Sequence, residues 1–201
     1  MSVGRIKSRP IYKGLVPDAS AKRHLIVAEG EGAEAVAALE AEASYGFLER
    51  AAIFYVVSGA RGQEHKSRLE ALGADVFYSF PSIPTLLFRL NGVLTTATMG
   101  VRLYVSGTEG FIGQVLQAAL SHGIDHQCVL TEHHGSLARR VQCIHCKGFT
   151  EMVKTNLVKC EHCGITLLVR DHYSRRLGAF MGVSADAETP GELPPSQENF
   201  P

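Results

Sequence analysis

Four cysteines in two closely spaced pairs are the residues of this chain best suited to chemistry. Cys143 and Cys146 form the first pair, Cys160 and Cys163 form the second, and thirteen residues separate the pairs. A Cys-x-x-Cys turn brings two sulfurs to one side of a tight loop, and two such loops can face each other around a tetrahedral metal ion. The spacing therefore predicts one metal site with four thiolate ligands.

The spacing leaves the identity of the metal open. Four thiolates fill a tetrahedron and leave no position for substrate or water, which favours a structural Zn²⁺. A single iron of the rubredoxin type uses the same ligands, and disulfides are a third alternative. We expect a metal, because thiols in a reducing compartment stay free to bind one. His145 and His162 lie inside the two loops and are expected to be exposed loop residues.

The composition argues against nucleic-acid and membrane partners. Twenty basic and twenty acidic side chains give a formal net charge of zero, which provides no positive field for phosphate backbones or anionic lipids. The longest apolar run, residues 51–57, is far shorter than the roughly twenty residues of a membrane-spanning helix. No apolar stretch follows the basic residues near the start, so we expect a cytoplasmic protein.

Changes of pattern divide the chain into four segments. Residues 1–23 lack periodicity and are predicted to form an extended arm. Residues 24–135 alternate short apolar strands with helices. Residues 141–183 hold the cysteine pairs and a basic, aromatic stretch. Residues 184–201 are rich in Pro, Glu and Ser, and we expect a disordered tail because they have too little apolar surface to order themselves.

The alternation over 24–135 predicts an α/β fold with a doubly wound parallel sheet, because strands joined by helices pair in parallel. Strands are expected at 24–28, 53–58, 75–80, 101–106 and 127–131. Helices are expected at 33–44, 63–72 and 111–122, with a helical or irregular segment through residue 90. In the cysteine module, short strands are expected at 153–155 and 165–169.

Two strand–glycine–helix junctions lie where open α/β sheets bind ligands, at the carboxyl ends of strands. The first contains Gly30 and Gly32 and opens a helix whose amides could hold a phosphate. Three glutamates oppose that function, because carboxylates repel a pyrophosphate and can occupy the amides themselves. They are Glu29, Glu31 and Glu34. A turn with a helix start is the structural alternative to a nucleotide site.

The second junction, residues 102–112, resembles the closing motif of the nicotinamide-binding domain in the ferredoxin-NADP reductase superfamily. The reductase components of Rieske-type oxygenases are the nearest branch. Gly107 and Phe111 match the motif, while Ser106 replaces its cysteine and Thr108 its proline. Glu132 matches the glutamate that follows the last strand. The resemblance implies a degenerate NAD(P)H site at Gly30, Gly32, Ser106, Gly107, Thr108 and Phe111. Either a partner then carries the flavin, or this α/β segment is a scaffold.

The cysteine module resembles the family of dimethylamine monooxygenase A subunits (DmmA-type). The motifs are Cys-x-x-Cys-Lys, Cys-x-x-Cys-Gly and the stretch 167–182, and the likeness covers residues 20–188. It implies a hetero-oligomeric, haem-dependent system for oxidative N-demethylation in methylated amine metabolism. A haem-binding catalytic subunit and a flavin/iron–sulfur reductase subunit are its implied partners. The chain itself is expected to be a structural, assembly or electron-relay subunit without catalytic residues. An NAD(P)H-binding reductase component and a zinc-stabilised interaction module are the alternatives.

The stretch after the second cysteine pair combines cations with apolar side chains. This composition is typical of a surface that docks a partner, although a solvated basic face is the alternative. We expect part of its apolar surface to be exposed, because a small ribbon does not need it for a core. The predicted docking residues are Arg170, His172, Tyr173, Arg175, Arg176, Phe180 and Met181.

Overall fold

The computed structural model describes residues 8–201, which form two units. The α/β unit comprises residues 12–135. The ribbon unit comprises residues 136–201 together with the chain up to residue 11. The first seven residues of the predicted arm lie outside the described part of the chain. Within that part, no helix is long and apolar enough to cross a membrane.

The α/β unit is built on a five-stranded parallel sheet in the order β3-β2-β1-β4-β5. Its strands are β1 (Arg23–Glu29), β2 (Ala51–Val56), β3 (Val76–Phe80), β4 (Val101–Gly107) and β5 (Val129–His133). Its helices are α1 (Ala33–Glu42), α2 (Gly62–Ala71), α3 (Ile83–Thr95) and α4 (Glu109–Ser121). The predicted fold class, a doubly wound parallel sheet followed by a four-cysteine module, is confirmed.

Both faces of this sheet are buried, which explains why its central strands are continuous apolar runs rather than alternating ones. Every residue of β2 is buried. Helices α1 and α2 pack on one face through side chains such as Val36 and Leu69. Helices α3 and α4 pack on the other face through side chains such as Leu90 and Phe111. This division of helices between the two faces defines the doubly wound architecture.

Several elements of the α/β unit differ from their predicted positions. Strand β2 begins and ends two residues earlier than predicted. Helix α3 is regular and continues to Thr95, because the Ser82 hydroxyl accepts a hydrogen bond from the Thr85 amide and every fourth residue is a buried leucine. These leucines are Leu86, Leu90 and Leu94. Strand β5 begins two residues later than predicted, because Asp125 caps a 3-10 turn over His126–Cys128.

The described part of the arm beyond residue 11 is bonded to the α/β unit. The Gly14 amide donates to the Thr131 carbonyl at 3.1 Å, and Leu15 is buried. The Asp18 carboxylate accepts a hydrogen bond from Nε of Arg102 at 2.8 Å. These contacts hold the arm against β5 and its neighbour β4.

The ribbon unit is a second five-stranded sheet in the order β7-β6-β10-β9-β8. Its strands are β6 (Arg139–Cys143), β7 (Phe149–Val153), β8 (Leu157–Lys159), β9 (Thr166–Ser174) and β10 (Ala179–Ser184). Neighbours are antiparallel except β6 and β10, which are parallel. Strand β9 is longer than predicted, because the hairpin with β10 extends it to Ser174. The ribbon unit has its own hydrophobic core, which includes Val141, Leu167 and Phe180.

The end of the predicted disordered tail is ordered onto the ribbon unit. The amides of Asn199 and Phe200 donate to the Lys154 carbonyl, and the Phe200 side chain is buried. The Arg139 guanidinium lies between two rings, 3.8 Å from the centre of Phe180 and 3.7 Å from that of Phe200. A single aromatic side chain placed against a buried cation supplies the apolar contact that the tail's composition lacks.

Candidate metal centre

The two Cys-x-x-Cys turns of the ribbon unit have the same backbone construction. In each turn the amide of the residue after the second cysteine donates to the carbonyl of the first, from Lys147 to Cys143 at 2.9 Å and from Gly164 to Cys160 at 3.0 Å. The donating residues have left-handed φ angles of 64° at Lys147 and 74° at Gly164. Glycine adopts this conformation freely and lysine does not. Both turns therefore adopt the same backbone geometry, and the first does so with backbone strain at Lys147.

The turns bring the sulfurs of the four predicted cysteines together, all within 4.8 Å of one another. The Sγ atoms of Cys143 and Cys163 lie 3.8 Å apart, and those of Cys146 and Cys160 lie 3.6 Å apart. A tetrahedron with metal–sulfur bonds of about 2.3 Å has edges of about 3.8 Å. The four side chains thus fit a single tetrathiolate metal ion.

The centre has one buried side and one exposed side. Cys143 and Cys160 are buried, Cys163 is half-buried and Cys146 is exposed. Burial opposes ionisation of Cys160, but hydrogen bonds from the amides of Cys163 and His162 outweigh it and lower the pKa of that thiol to about 6. Cys160 therefore ionises more readily than Cys146 and Cys163, at which amide hydrogen bonds are outweighed by desolvation and the neighbouring sulfurs, so that the pKa of both thiols is raised.

The histidines within the turns stand outside the sulfur cluster. Both are exposed, as expected. The His162 ring lies with Nε2 2.9 Å from the Phe149 carbonyl, to which it donates a hydrogen bond. A β-carbon at Gly148 would come within 2.3 Å of this ring, so glycine is required there for packing. The need for glycine at position 148 comes from the His162 ring of the other turn, and the spacing of the cysteines does not indicate it.

The predicted nucleotide residues meet at the carboxyl ends of β1 and β4. Gly30 and Gly32 form a 3-10 turn, and a β-carbon at Gly32 would lie 2.4 Å from the Ser106 carbonyl oxygen. Ser106 and Phe111 are buried. Close packing of the turn on β4 therefore accounts for Gly32, and Phe111 serves the core.

Glu29 occupies the start of α4, the point in this crevice where a phosphate would be expected. Its Oε2 accepts hydrogen bonds from Oγ1 of Thr108 at 2.7 Å and from the Thr108 amide at 3.3 Å. The sequence placed this glutamate only at the first junction. It reaches the second junction because β1 and β4 are neighbouring strands, with Ala28 paired to Ser106. Glu29 and Gly107 follow these paired residues, so both lie at the same edge of the sheet.

The other two glutamates of the first junction are held by basic side chains of α2 and the turn before it. The Glu31 Oε2 lies 3.2 Å from Nε2 of His65, and the Glu34 Oε2 accepts from Arg68 at 2.8 Å. Arg61 contacts both carboxylates. The trio Glu31, Glu34 and His65 has metal-ligand spacing, but two guanidinium groups already neutralise its carboxylates. Sequence reasoning missed these three partners because they follow a different strand.

The predicted docking residues divide between the two sides of the ribbon sheet. Arg170, His172, Arg175 and Arg176 are exposed and Met181 is half-buried. The expectation of exposed apolar surface is wrong for Tyr173 and Phe180, which are only 8% and 1% exposed and whose ring centres lie 5.1 Å apart. Alternation along β9 directs Tyr173 to the side of Leu167 and Val169, into the core.

Comparison with known proteins matches both units of the chain. A family model described as dimethylamine monooxygenase subunit DmmA-like, N-terminal domain, matches residues 4–129. The corresponding C-terminal domain model matches residues 140–183. The heme-dependent oxidative N-demethylase delta subunit of Ectopseudomonas mendocina (strain ymp) is 32% identical over 141 residues, which cover 67% of this chain and 81% of that protein.

Two solved structures that match part of this chain belong to larger proteins. The ferredoxin reductase of carbazole 1,9a-dioxygenase, in its FAD apo form, matches 59% of this chain with a TM-score of 0.42 and 11% identity. Full-length CYP116B46 from Tepidiphilus thermophilus matches 67% of this chain with a TM-score of 0.44 and 18% identity. The chain spans 34% of the first protein and 19% of the second.

Proposed function

Because the chain belongs to the dimethylamine monooxygenase subunit DmmA-like family, as its sequence indicated, we propose that it is a non-catalytic assembly subunit of a haem-dependent N-demethylating oxygenase. In this proposal another subunit binds haem and the amine. A flavin and iron–sulfur reductase subunit supplies electrons from NAD(P)H. The complex works in the cytoplasm.

The convergence of four thiolates on one point carries this proposal. Cys143, Cys146, Cys160 and Cys163 supply a complete tetrahedral ligand set, and a metal with four protein ligands has no open position for oxygen or amine. Such a site stabilises a small domain rather than performing a reaction. We therefore propose Zn²⁺ held by these residues, which would fix the two turns and the strands that carry them.

Metal analysis of the purified chain, with Cys160→Ser as the test variant, decides this point. We expect about one zinc per chain, no visible absorbance, and loss of both metal and protease resistance in the variant. Cys128→Ser is the matched control, since Cys128 is half-buried and lies outside the sulfur cluster, and it should keep the metal. Full metal content in Cys160→Ser would overturn the tetrathiolate site.

The assembly role has its own test. The chain should co-purify with the haem-binding subunit expressed from the same genome, and formaldehyde release from dimethylamine should fall when the chain is omitted. If a complex without this chain demethylates at the full rate, the proposed function is wrong.

An electron-relay role is the second candidate, and the exposure of Cys146 favours it. A metal whose ligand reaches the surface is accessible to a redox partner, and an iron bound by four thiolates would supply one-electron chemistry. The relay predicts iron and a red colour in the purified chain. It also predicts bleaching of that colour when the reductase subunit and NADPH are added. A colourless zinc protein excludes the relay.

The geometry disfavours the third candidate, an NAD(P)H-binding reductase component. The Glu29 carboxylate already accepts hydrogen bonds from the Thr108 amide and hydroxyl, the groups that would face a phosphate. A dinucleotide would have to displace this carboxylate and would be repelled by its charge. Calorimetry with NADH and NADPH should show no binding in the micromolar range. A dissociation constant of a few micromolar, on the order of −8 kcal/mol, would promote the reductase function.

A further inference from the structure

The outer face of the ribbon sheet, away from the core, is the strongest unassigned surface of the molecule. Along β9, Leu167 and Val169 are buried whereas Arg170 and His172 are exposed. Paired residues of antiparallel strands share a face. Thr166 and Leu168 alternate with the buried residues and therefore lie on the outer side with Arg170 and His172. Leu157 pairs with Leu168 and Lys159 pairs with Thr166, so both lie on the outer side as well. We call this surface the outer ribbon face, and its members include Leu157, Lys159, Leu168, Arg170, His172 and Val183.

The centre of the outer ribbon face is apolar and only partly covered. Leu168 pairs with Val183 across β9 and β10, and Leu157 flanks Leu168 on β8. All three side chains are half-buried. Lys159, Arg170 and His172 are exposed around them. An apolar centre with a charged rim is the usual composition of a surface that binds another protein.

Lysine and arginine side chains form much of the rim, and within the described part of the chain they have no ion-pair partner. Residues 136–201 contain eight lysines and arginines and seven acids, so the unit is nearly balanced in charge, and two of the acids are held by cations other than those of the rim. Asp171 is bonded to Arg139, and Glu151 lies 3.3 Å from Arg140. Among residues 8–201, no carboxylate lies within the 4.0 Å of an ion pair from Lys159 or Arg170. These two exposed, unpaired cations beside an apolar centre favour an acidic partner.

We propose that the outer ribbon face docks an acidic surface of the haem-binding subunit, an inference that rests on the proposed assembly function. Docking would cover Leu168 and Val183 and pair Lys159 and Arg170 with carboxylates, so that the apolar centre provides affinity and the rim provides orientation and association rate. A second copy of this chain fits poorly, because it would bring the same cations face to face.

The test measures binding of the intact chain to the purified haem-binding subunit by surface plasmon resonance at low salt. We expect the double variant Lys159→Glu/Arg170→Glu to bind about tenfold or more weakly, and Leu168→Asp to shorten the lifetime of the complex. Raising the salt concentration should weaken the parent more than the variants. Lys66→Glu, the same charge change on α2, is the control and should bind like the parent.

Metal content and thermal unfolding of each variant separate loss of docking from loss of folding, and both should match the parent. Equal binding by Lys159→Glu/Arg170→Glu and the parent would overturn the docking face while leaving the assembly function intact. Failure of the parent itself to bind would instead count against the assembly function. Two further results would overturn the proposal by assigning the face to a different occupant. One is a parent dimer that the double variant dissolves, and the other is binding of the parent to anionic vesicles that the variant loses.

Discussion

Gly164, which follows the second cysteine pair, allows the effect of a left-handed backbone conformation on metal affinity to be measured. Gly164 has a φ of 74°, and a β-carbon there would meet no atom within 4 Å. Gly164→Ala therefore changes the backbone preference without a steric clash. Its equivalent in the first turn, Lys147, already adopts a φ of 64° with a side chain attached.

The expected magnitude follows from the left-handed conformation. A residue with a β-carbon loses about 1 kcal/mol relative to glycine at such an angle. Because the folding of a small metal module is coupled to metal binding, the loss should appear as a roughly fivefold weaker metal affinity in Gly164→Ala. Lys147→Gly should change affinity in the opposite direction, by a smaller factor, because the Lys147 Nζ also donates to the Ile144 carbonyl at 2.6 Å.

Competition against a chromophoric chelator measures both affinities on the intact chain. Gly92→Ala is the control for a glycine replacement without left-handed geometry: its β-carbon would also meet nothing within 4 Å, and it lies in α3. This variant should leave metal affinity unchanged and stabilise the α/β unit by about 0.5–1 kcal/mol. Unaltered affinity in Gly164→Ala, or equal effects in the two turn variants, would refute the account of the turns.

Three further outcomes are expected. Phe200→Ala should lower the free energy of unfolding of the ribbon unit by about 2–4 kcal/mol in urea titrations, whereas exposed Leu193→Ala should change it by less than about 0.5 kcal/mol. Hydrogen bonds from Ser20 and Arg102 lower the pKa of Asp18 to about 2. The ionised form therefore stabilises the fold above pH 4, and this stability, about 1 kcal/mol after solvent screening, should be lost between pH 4 and 2 and be absent in Asp18→Asn. Burial and the Arg50 charge lower the pKa of His24. The folded state then binds fewer protons than the unfolded chain, so stability should fall as the pH drops below 6.5, and His24→Phe should abolish that slope.

Local sequence signals predicted much of the fold. The central strands of the α/β unit are apolar runs followed by glycines, and the spacing of the four cysteines is visible directly in the sequence. These features depend on residues close together in the chain, which is the information that periodicity and motifs report. Helix α3 was recognised only in part, because its proline and its polar positions obscured the repeat of buried leucines.

The features that sequence reasoning missed depend on contacts between distant segments. Glu29 reaches Thr108 across 79 positions, which requires knowing that β1 and β4 are neighbours. The burial of Tyr173 and Phe180 depends on the pairing of β9 and β10 around Val141 of β6. The burial of Phe200 depends on Arg139, 61 positions earlier, and on the core of the ribbon sheet. None of these partners is marked by its own local pattern.

The α/β unit is inserted within the ribbon unit, since the chain passes from residue 11 into the α/β unit and returns at residue 136. During synthesis the α/β unit is contiguous and can fold first, whereas Ser8 must wait for Tyr173, which lies 165 positions later. The hydrogen bond from Gly14 to Thr131 ties the ends of the insert together and removes most of the loop-closure entropy for that late pairing. The metal ligands at 143–163 are also synthesised after the insert, so metal capture should follow folding of the insert. A mutation that slows folding of the insert should delay metal uptake by the nascent protein without altering the affinity of the finished site.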